Sequence, residues 1–176
     1  MVRKLSNDEL GRKSVGEFRK SEKQPIAVVL DNVRSMHNVG SIFRSADAFL
    51  IERIILTGIT ACPPHREIQK TALGATESVD WTYVEKSVDA VRELRAEGYK
   101  IIAIEQTEPV TELQEFMPEP NQKYALVFGN EVFGVAEEIV AEADVCIEIP
   151  QFGTKHSLNV AVSAGVVMWE FVSRLK

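Results

Sequence analysis

The chain has 176 residues, of which 45% are hydrophobic and 26% charged, with a formal net charge of −6. That length and mix describe one domain with a single sizeable core; they exclude a disordered or low-complexity chain, and a second full domain is not expected. No run approaches the ~18 apolar residues that a membrane span requires, and the polar start lacks the apolar core of a secretion signal.

Residues 1–24 are a basic arm: seven Lys or Arg against four acids make it +3, which leaves −9 for the remainder. Ser6 with Glu9 three residues on has the spacing of a capping box and predicts a helix start. A basic arm on an acidic body can grip a polyanion, because local charge sets the contact. Residues 25–176 alternate strands and helices. Residues 25–31 (PIAVVLD) predict a buried strand, residues 38–50 a helix with Val39, Ile42, Phe43, Ala46 and Phe49 on one face, and residues 53–57 a second strand. A loop with Pro63-Pro64 leads to a short helix at 66–73, closed by Gly74 as a C-cap. A third strand is expected at 81–84, a helix at 88–96, a fourth strand at 100–105 and a weak helix at 110–116. A fifth strand at 124–128, a helix at 135–143, a sixth strand at 145–149 and a final helix from 158 to about 174 complete the chain. Such alternation predicts an α/β domain, an open parallel six-stranded sheet with helices on both faces.

Cys62 and Cys146 lie far apart, and neither they nor His37, His65 and His156 have metal-ligand spacing; reduced thiols in a cytoplasmic protein without a metal are expected. The Gly-rich dinucleotide fingerprint, the P-loop and the nucleophile elbow are all missing. That removes the common dehydrogenase, NTPase and hydrolase readings of an α/β chain.

Three segments that each follow a strand carry candidate chemistry. After the first strand, Asn38 can cap the helix and Arg44 follows six residues later, a planar fork suited to phosphate or to charge developing in a reaction. After the fifth, Gly129 permits close backbone approach to a ligand and Glu131 sits where a helix start favours a carboxylate. After the sixth, residues 149–163 (IPQFGTKHSLNVAVS) join a strand to an apolar helix through a turn holding Gly153, Ser157 and Asn159, the layout of a ligand site at the carboxyl end of a sheet. Each segment alone also has an ordinary structural explanation as a cap or a turn.

In this order the motifs Asn38-x-Gly40-x-x-x-Arg44-x-Ala46-x-Ala48-Phe49, Leu126-Val127-Phe128-Gly129-Asn130-Glu131-x-x-Gly134 and Ile149-Pro150-x-x-Gly153-x-x-x-Ser157-Leu158-Asn159-Val160 resemble the SpoU (TrmH) family of the SPOUT superfamily. These are S-adenosylmethionine-dependent RNA ribose 2′-O-methyltransferases, and the resemblance covers about residues 26–169. It implies a SPOUT fold with a deep trefoil knot at the C-terminal side and a homodimer with sites near the seam. It implies cofactor contacts at Gln106, Gly129, Ile149 and Leu158, and Arg44 as the catalytic residue, with Asn38, Glu131, Ser157 and Asn159 arranging the site. A guanidinium is a poor base at neutral pH. The expectation is therefore that Arg44 either shares the proton's removal with a substrate phosphate or stabilises the developing alkoxide. The nearly uncharged last helix fits a twin subunit, and Val132-Phe133 depart from the Gly or polar residues that relatives often carry there. The implied partner is RNA, tRNA ahead of rRNA; the alternatives are base methylation and a non-catalytic RNA-binding or ribosome-assembly protein that keeps the fold.

Overall fold

A computed structural model describes residues 2–6 and 8–175. The strands are β1 Gln24–Asp31, β2 Ile51–Thr57, β3 Asp80–Val84, β4 Tyr99–Ile104, β5 Thr111–Glu112, β6 Lys123–Phe128 and β7 Val145–Glu148. The helices are α1 Val15–Lys20, α2 Met36–Ala48, α3 Arg66–Ala72, α4 Ala75–Ser78, α5 Ser87–Ala96, α6 Glu137–Glu142 and α7 Val160–Leu175. Along β1, Ile26, Val28 and Leu30 enter one buried cluster with α2, α3 and α7, while Ala27 and Val29 enter another with α5 and Ile139 of α6. A strand whose alternate residues are buried on opposite faces needs a layer on each, and crossover helices supply both.

Every pairing is parallel, in the order β3-β2-β1-β6-β4-β7-β5. From β1 the chain steps outward through β2 and β3, crosses back beneath α5 to β4, and later fills the gap between β1 and β4 with β6. That reversal sets the loops after β1, β6, β4 and β7 side by side at the carboxyl edge, where open parallel sheets form their crevice. No described helix is long and apolar enough to cross a membrane.

Several expectations need correction. The sheet has seven strands, not six. Residues 110–116 form β5 and a 3-10 turn at Leu113–Glu115 rather than a weak helix. Thr111 and Glu112 pair with Ile147 and Glu148, satisfying the edge of β7, and the segment is too short to nucleate a helix alone. The Glu9 carboxylate does accept the Ser6 N–H at 2.9 Å, yet only a 3-10 turn at Asp8–Leu10 follows, ended by Gly11 at φ 58°. The true helix start is Ser14, in a capping box with Glu17, and α1 anchors through buried Phe18. Leu73 at φ 49°, not Gly74, caps α3, because Gly74 at φ 91° is taken up in starting α4. Ser35 rather than Asn38 is the N-cap of α2. Glu131 heads no helix of its own, since α6 begins six residues later.

Candidate active site

One cleft of about 510 Å³ opens at the carboxyl edge of β4, β6 and β7. Gln106 lines it from the β4 exit, Gly129 and Glu131 from the β6 exit, and Ile149, Ser157, Leu158 and Asn159 from the β7–α7 connection. Its volume falls in the ~300–1,000 Å³ range of small-molecule sites. Among the described residues no three His, Cys, Asp or Glu side chains converge as metal ligands.

Glu131 ties the walls together. Its Oε2 accepts the Arg34 N–H at 2.9 Å, and its Oε1 accepts the Ser35 N–H at 3.0 Å and the Asn38 Nδ2 at 2.9 Å. The carboxylate thus satisfies N–H groups at the entry to α2, a helix brought beside it by the β1–β6 pairing. Partial burial alone would raise its pKa, but the three donors prevail and hold the carboxyl below its ordinary range. Asn38 passes the link on, its Oδ1 accepting from Asn159 Nδ2 at 3.1 Å. Asn159 Oδ1 accepts the Ala161 and Val162 N–H groups at 2.9 and 3.3 Å, which caps α7 and explains why that helix starts at Val160 rather than 158. A continuous polar chain, Glu131–Asn38–Asn159, therefore joins the three segments that sequence spacing singles out.

The loop after β6 is rigid for separate reasons. Asn130 Oδ1 accepts the Val132 and Phe133 N–H groups, and its Nδ2 donates to the Asn32 carbonyl at 2.8 Å. The Asn130 and Gly134 backbones exchange both hydrogen bonds at 2.9 Å. Gly134 sits at φ 69°, and a Cβ there would lie 2.1 Å from Glu105 Oε2, the oxygen that accepts the Val135 N–H at 2.7 Å. A Cβ on Gly129 would lie 2.1 Å from the Gly134 and Val135 backbone. Backbone leaves no room for a side chain at Gly129, and the positive φ of Gly134 favours glycine, so this wall of the cleft is bare main chain.

Arg44 stands apart. It is exposed on α2, does not line the cleft, and has no hydrogen bond or ion pair among the described residues. Six residues of helix place it ~9 Å along the axis from Asn38 and on another face. Its neighbour Ser45 packs near Gly165, and Phe49 meets Trp169 with ring centroids 5.7 Å apart, so Arg44 flanks α7. On α7, Val160, Ala164, Val167, Met168, Phe171 and Val172 are buried, but Val162, Val166 and Trp169 are 53%, 41% and 54% exposed. A helix apolar nearly all round is thus covered on one side only.

The SpoU rRNA Methylase family matches residues 25–169. The chain belongs to this family. It is 31% identical to the tRNA (guanosine(18)-2'-O)-methyltransferase of Thermus thermophilus over 92% of this chain and 81% of that protein. It is 32% identical to the 23S rRNA (guanosine-2'-O-)-methyltransferase RlmB of Neisseria meningitidis over 83% of this chain and 57% of that protein. A third relative, mouse tRNA (guanosine(18)-2'-O)-methyltransferase TARBP1, is 31% identical over 83% of this chain, which spans only 9% of that protein. An AdoMet-bound rRNA methyltransferase from Sinorhizobium meliloti superposes with a TM-score of 0.81 at 28% identity, covering 90% of this chain and 60% of that one. The chain thus covers little more than half of several relatives, and less of the mouse one.

Within this SpoU member the cleft also takes Glu105 and His156, to which motif reading gives no role, and Val132-Phe133, the departure from the family pattern, line it too. The signal for Glu105 lies in no local pattern; it follows from the fit of its carboxylate against Gly134.

Proposed function

We propose that the chain is an S-adenosylmethionine-dependent RNA methyltransferase that modifies a ribose 2′-hydroxyl. The observation that carries this reading is the convergence of the three motif segments on one cleft, bolted by Glu131, Asn38 and Asn159. The cleft's chemistry fits the methyl donor: bare main chain at Gly129, apolar side chains at Ile149 and Leu158, and polar groups at Gln106 and Ser157. When bound, S-adenosylmethionine supplies an electrophilic methyl group. Gly129, Ile149, Leu158 and Gln106 hold it; Glu131, Asn38 and Asn159 fix the loops around it; Ser157 faces the ribose. Arg44, a fixed cation with five N–H donors, binds the substrate's phosphate and steadies the alkoxide as the hydroxyl proton passes to a phosphate oxygen and on to solvent.

In a single chain Arg44 lies outside its own cleft, so the reading requires a homodimer. Val162, Val166 and Trp169 recur at i, i+4 and i+7 as an apolar seam beside Arg44, and a second copy that covers it brings Arg44 and a cleft together. The deep knot is part of the same proposal. It is supported by the strand order, in which the chain leaves β7 beyond β4 and returns past β6 to α2 within residues 149–159, and by the structural likeness to family members. The substrate is tRNA in this reading, supported by the match along 81% of the Thermus tRNA enzyme; the basic arm, with Arg12, Lys13 and Lys20 exposed, grips its backbone in the cytoplasm.

The test is transfer of labelled methyl from S-adenosylmethionine to RNA, with cofactor affinity measured by calorimetry. Arg44→Ala is expected to abolish transfer and leave cofactor affinity unchanged. Equal transfer by Arg44→Ala contradicts the role given to Arg44, and a wild-type protein that binds RNA but no cofactor favours the non-catalytic alternative.

A further inference from the structure

Phe133 is 85% exposed, an unusual setting for a large aromatic, and it lines the cleft rather than open surface. It is not a floppy loop tip. Asn130 Oδ1 accepts its backbone N–H at 3.2 Å, and the next residue, Gly134, is locked at φ 69° between the Gly129 backbone and the Glu105 carboxylate. Its neighbour Val132, 64% exposed, lines the cleft too and is held by the same Asn130 oxygen at 2.8 Å. A hydrophobic ring is thus presented to water from a backbone held in place, on the loop that also carries Glu131. By contrast Phe152, 96% exposed, does not line the cleft and belongs to a stretch exposed throughout.

Proteins that recognise RNA by its bases mostly take nucleotides of single-stranded loops, bulges and ends, whose bases can splay out and stack on an aromatic side chain. The geometry points to Phe133 as the stacking platform for the target nucleobase, making the substrate an unpaired or flipped-out nucleotide of a loop rather than one within a continuous duplex. The inference rests on the RNA methyltransferase reading above. Stacking tolerates any base, so Phe133 selects for exposure of the nucleotide and leaves base identity to other contacts.

Four variants test it: Phe133→Ala, Phe133→Leu, Phe133→Tyr and Phe133→Trp. One readout is steady-state transfer to undermethylated total RNA from cells lacking the protein. The other is anisotropy of a labelled short unstructured oligoribonucleotide against an RNA duplex of the same sequence, without cofactor. The Ala and Leu variants are expected to lose about ten- to a hundredfold in kcat/KM, mostly through KM, and about tenfold in affinity for the unstructured RNA. The Tyr and Trp variants are expected to keep both. Duplex binding, S-adenosylmethionine affinity, sedimentation mass and Tm are expected to be unchanged in all four. Wild-type behaviour in Phe133→Leu overturns the inference, because it leaves only apolar contact. A parallel loss of cofactor affinity overturns it by giving the ring to the methyl donor, and a change in mass by giving it to the seam between copies. Absence of transfer by the wild type tells against the methyltransferase reading, while the binding comparison still decides the role of Phe133.

Discussion

Replacing Glu131 by Gln keeps the side chain's shape and removes its charge. The wild-type carboxylate accepts three hydrogen bonds, one at Oε2 and two at Oε1. The best amide orientation keeps the Ser35 and Asn38 donors on the carbonyl oxygen and turns an NH2 group toward the Arg34 N–H. That leaves one donor facing a donor and the other two bonds without charge assistance. A hydrogen bond to a charged group contributes about 1.5–3 kcal/mol, and the partial exposure of this site reduces the net loss to about 1–2 kcal/mol. For a chain of this size each kcal/mol shifts Tm by about 2–4 °C, so a fall of about 2–8 °C is expected at pH 7. Because folding lowers the carboxyl's pKa, its contribution is whole above the unfolded-state value and is lost as pH falls through the folded one. The Tm gap between wild type and Glu131→Gln should therefore be full at pH 7, begin to narrow as pH falls below the unfolded carboxyl's value of about 4.3, and close below the lowered folded-state one. Thermal melts by circular dichroism across that range measure it. A gap that is absent at pH 7, or that widens in acid, refutes the role assigned to this carboxylate.

Asp31 is 1% exposed and its carboxylate accepts from Ser87 Oγ, Asn32 Nδ2 and the Ala136 N–H, so Asp31→Ala orphans buried donors and should cost about 2–4 kcal/mol in urea unfolding. Gly134→Ala places a Cβ against Glu105 in a strained backbone region and is expected to weaken S-adenosylmethionine binding at least about tenfold by calorimetry; unchanged affinity would remove this loop from the cofactor's wall. Trp169→Glu in the exposed stripe of α7 is expected to yield monomers by analytical ultracentrifugation and to abolish transfer, whereas a fully active monomer would contradict the shared site.

The sequence makes legible whatever depends on local order. The β1 run is legible because a strand buried on both faces needs apolar residues throughout, and the motif segments are legible because each follows its strand directly. Glu131 does serve a helix start, but not one of its own: its donors lie 93–97 residues away, at the entry to α2 and in its first turn, brought near by strand pairing. β5 has no signal in the sequence because its two residues become a strand only against β7. The final helix reads as apolar on every side, and periodicity cannot say that its own sheet covers only one of them. Helical spacing puts Arg44 and Asn38, both on α2, on different faces, but does not say which of the two is bonded into the cleft's frame; that is Asn38, through Glu131 and Asn159.

The central claim is ribose methylation, and the product reports on it directly. Purified protein is incubated with labelled S-adenosylmethionine and undermethylated RNA, the RNA is digested to nucleosides, and the labelled nucleoside is identified by chromatography and mass spectrometry. The account predicts a single 2′-O-methylnucleoside, absent with Arg44→Ala. Label on a base, or a 2′-O-methyl product formed equally well by Arg44→Ala, would contradict it.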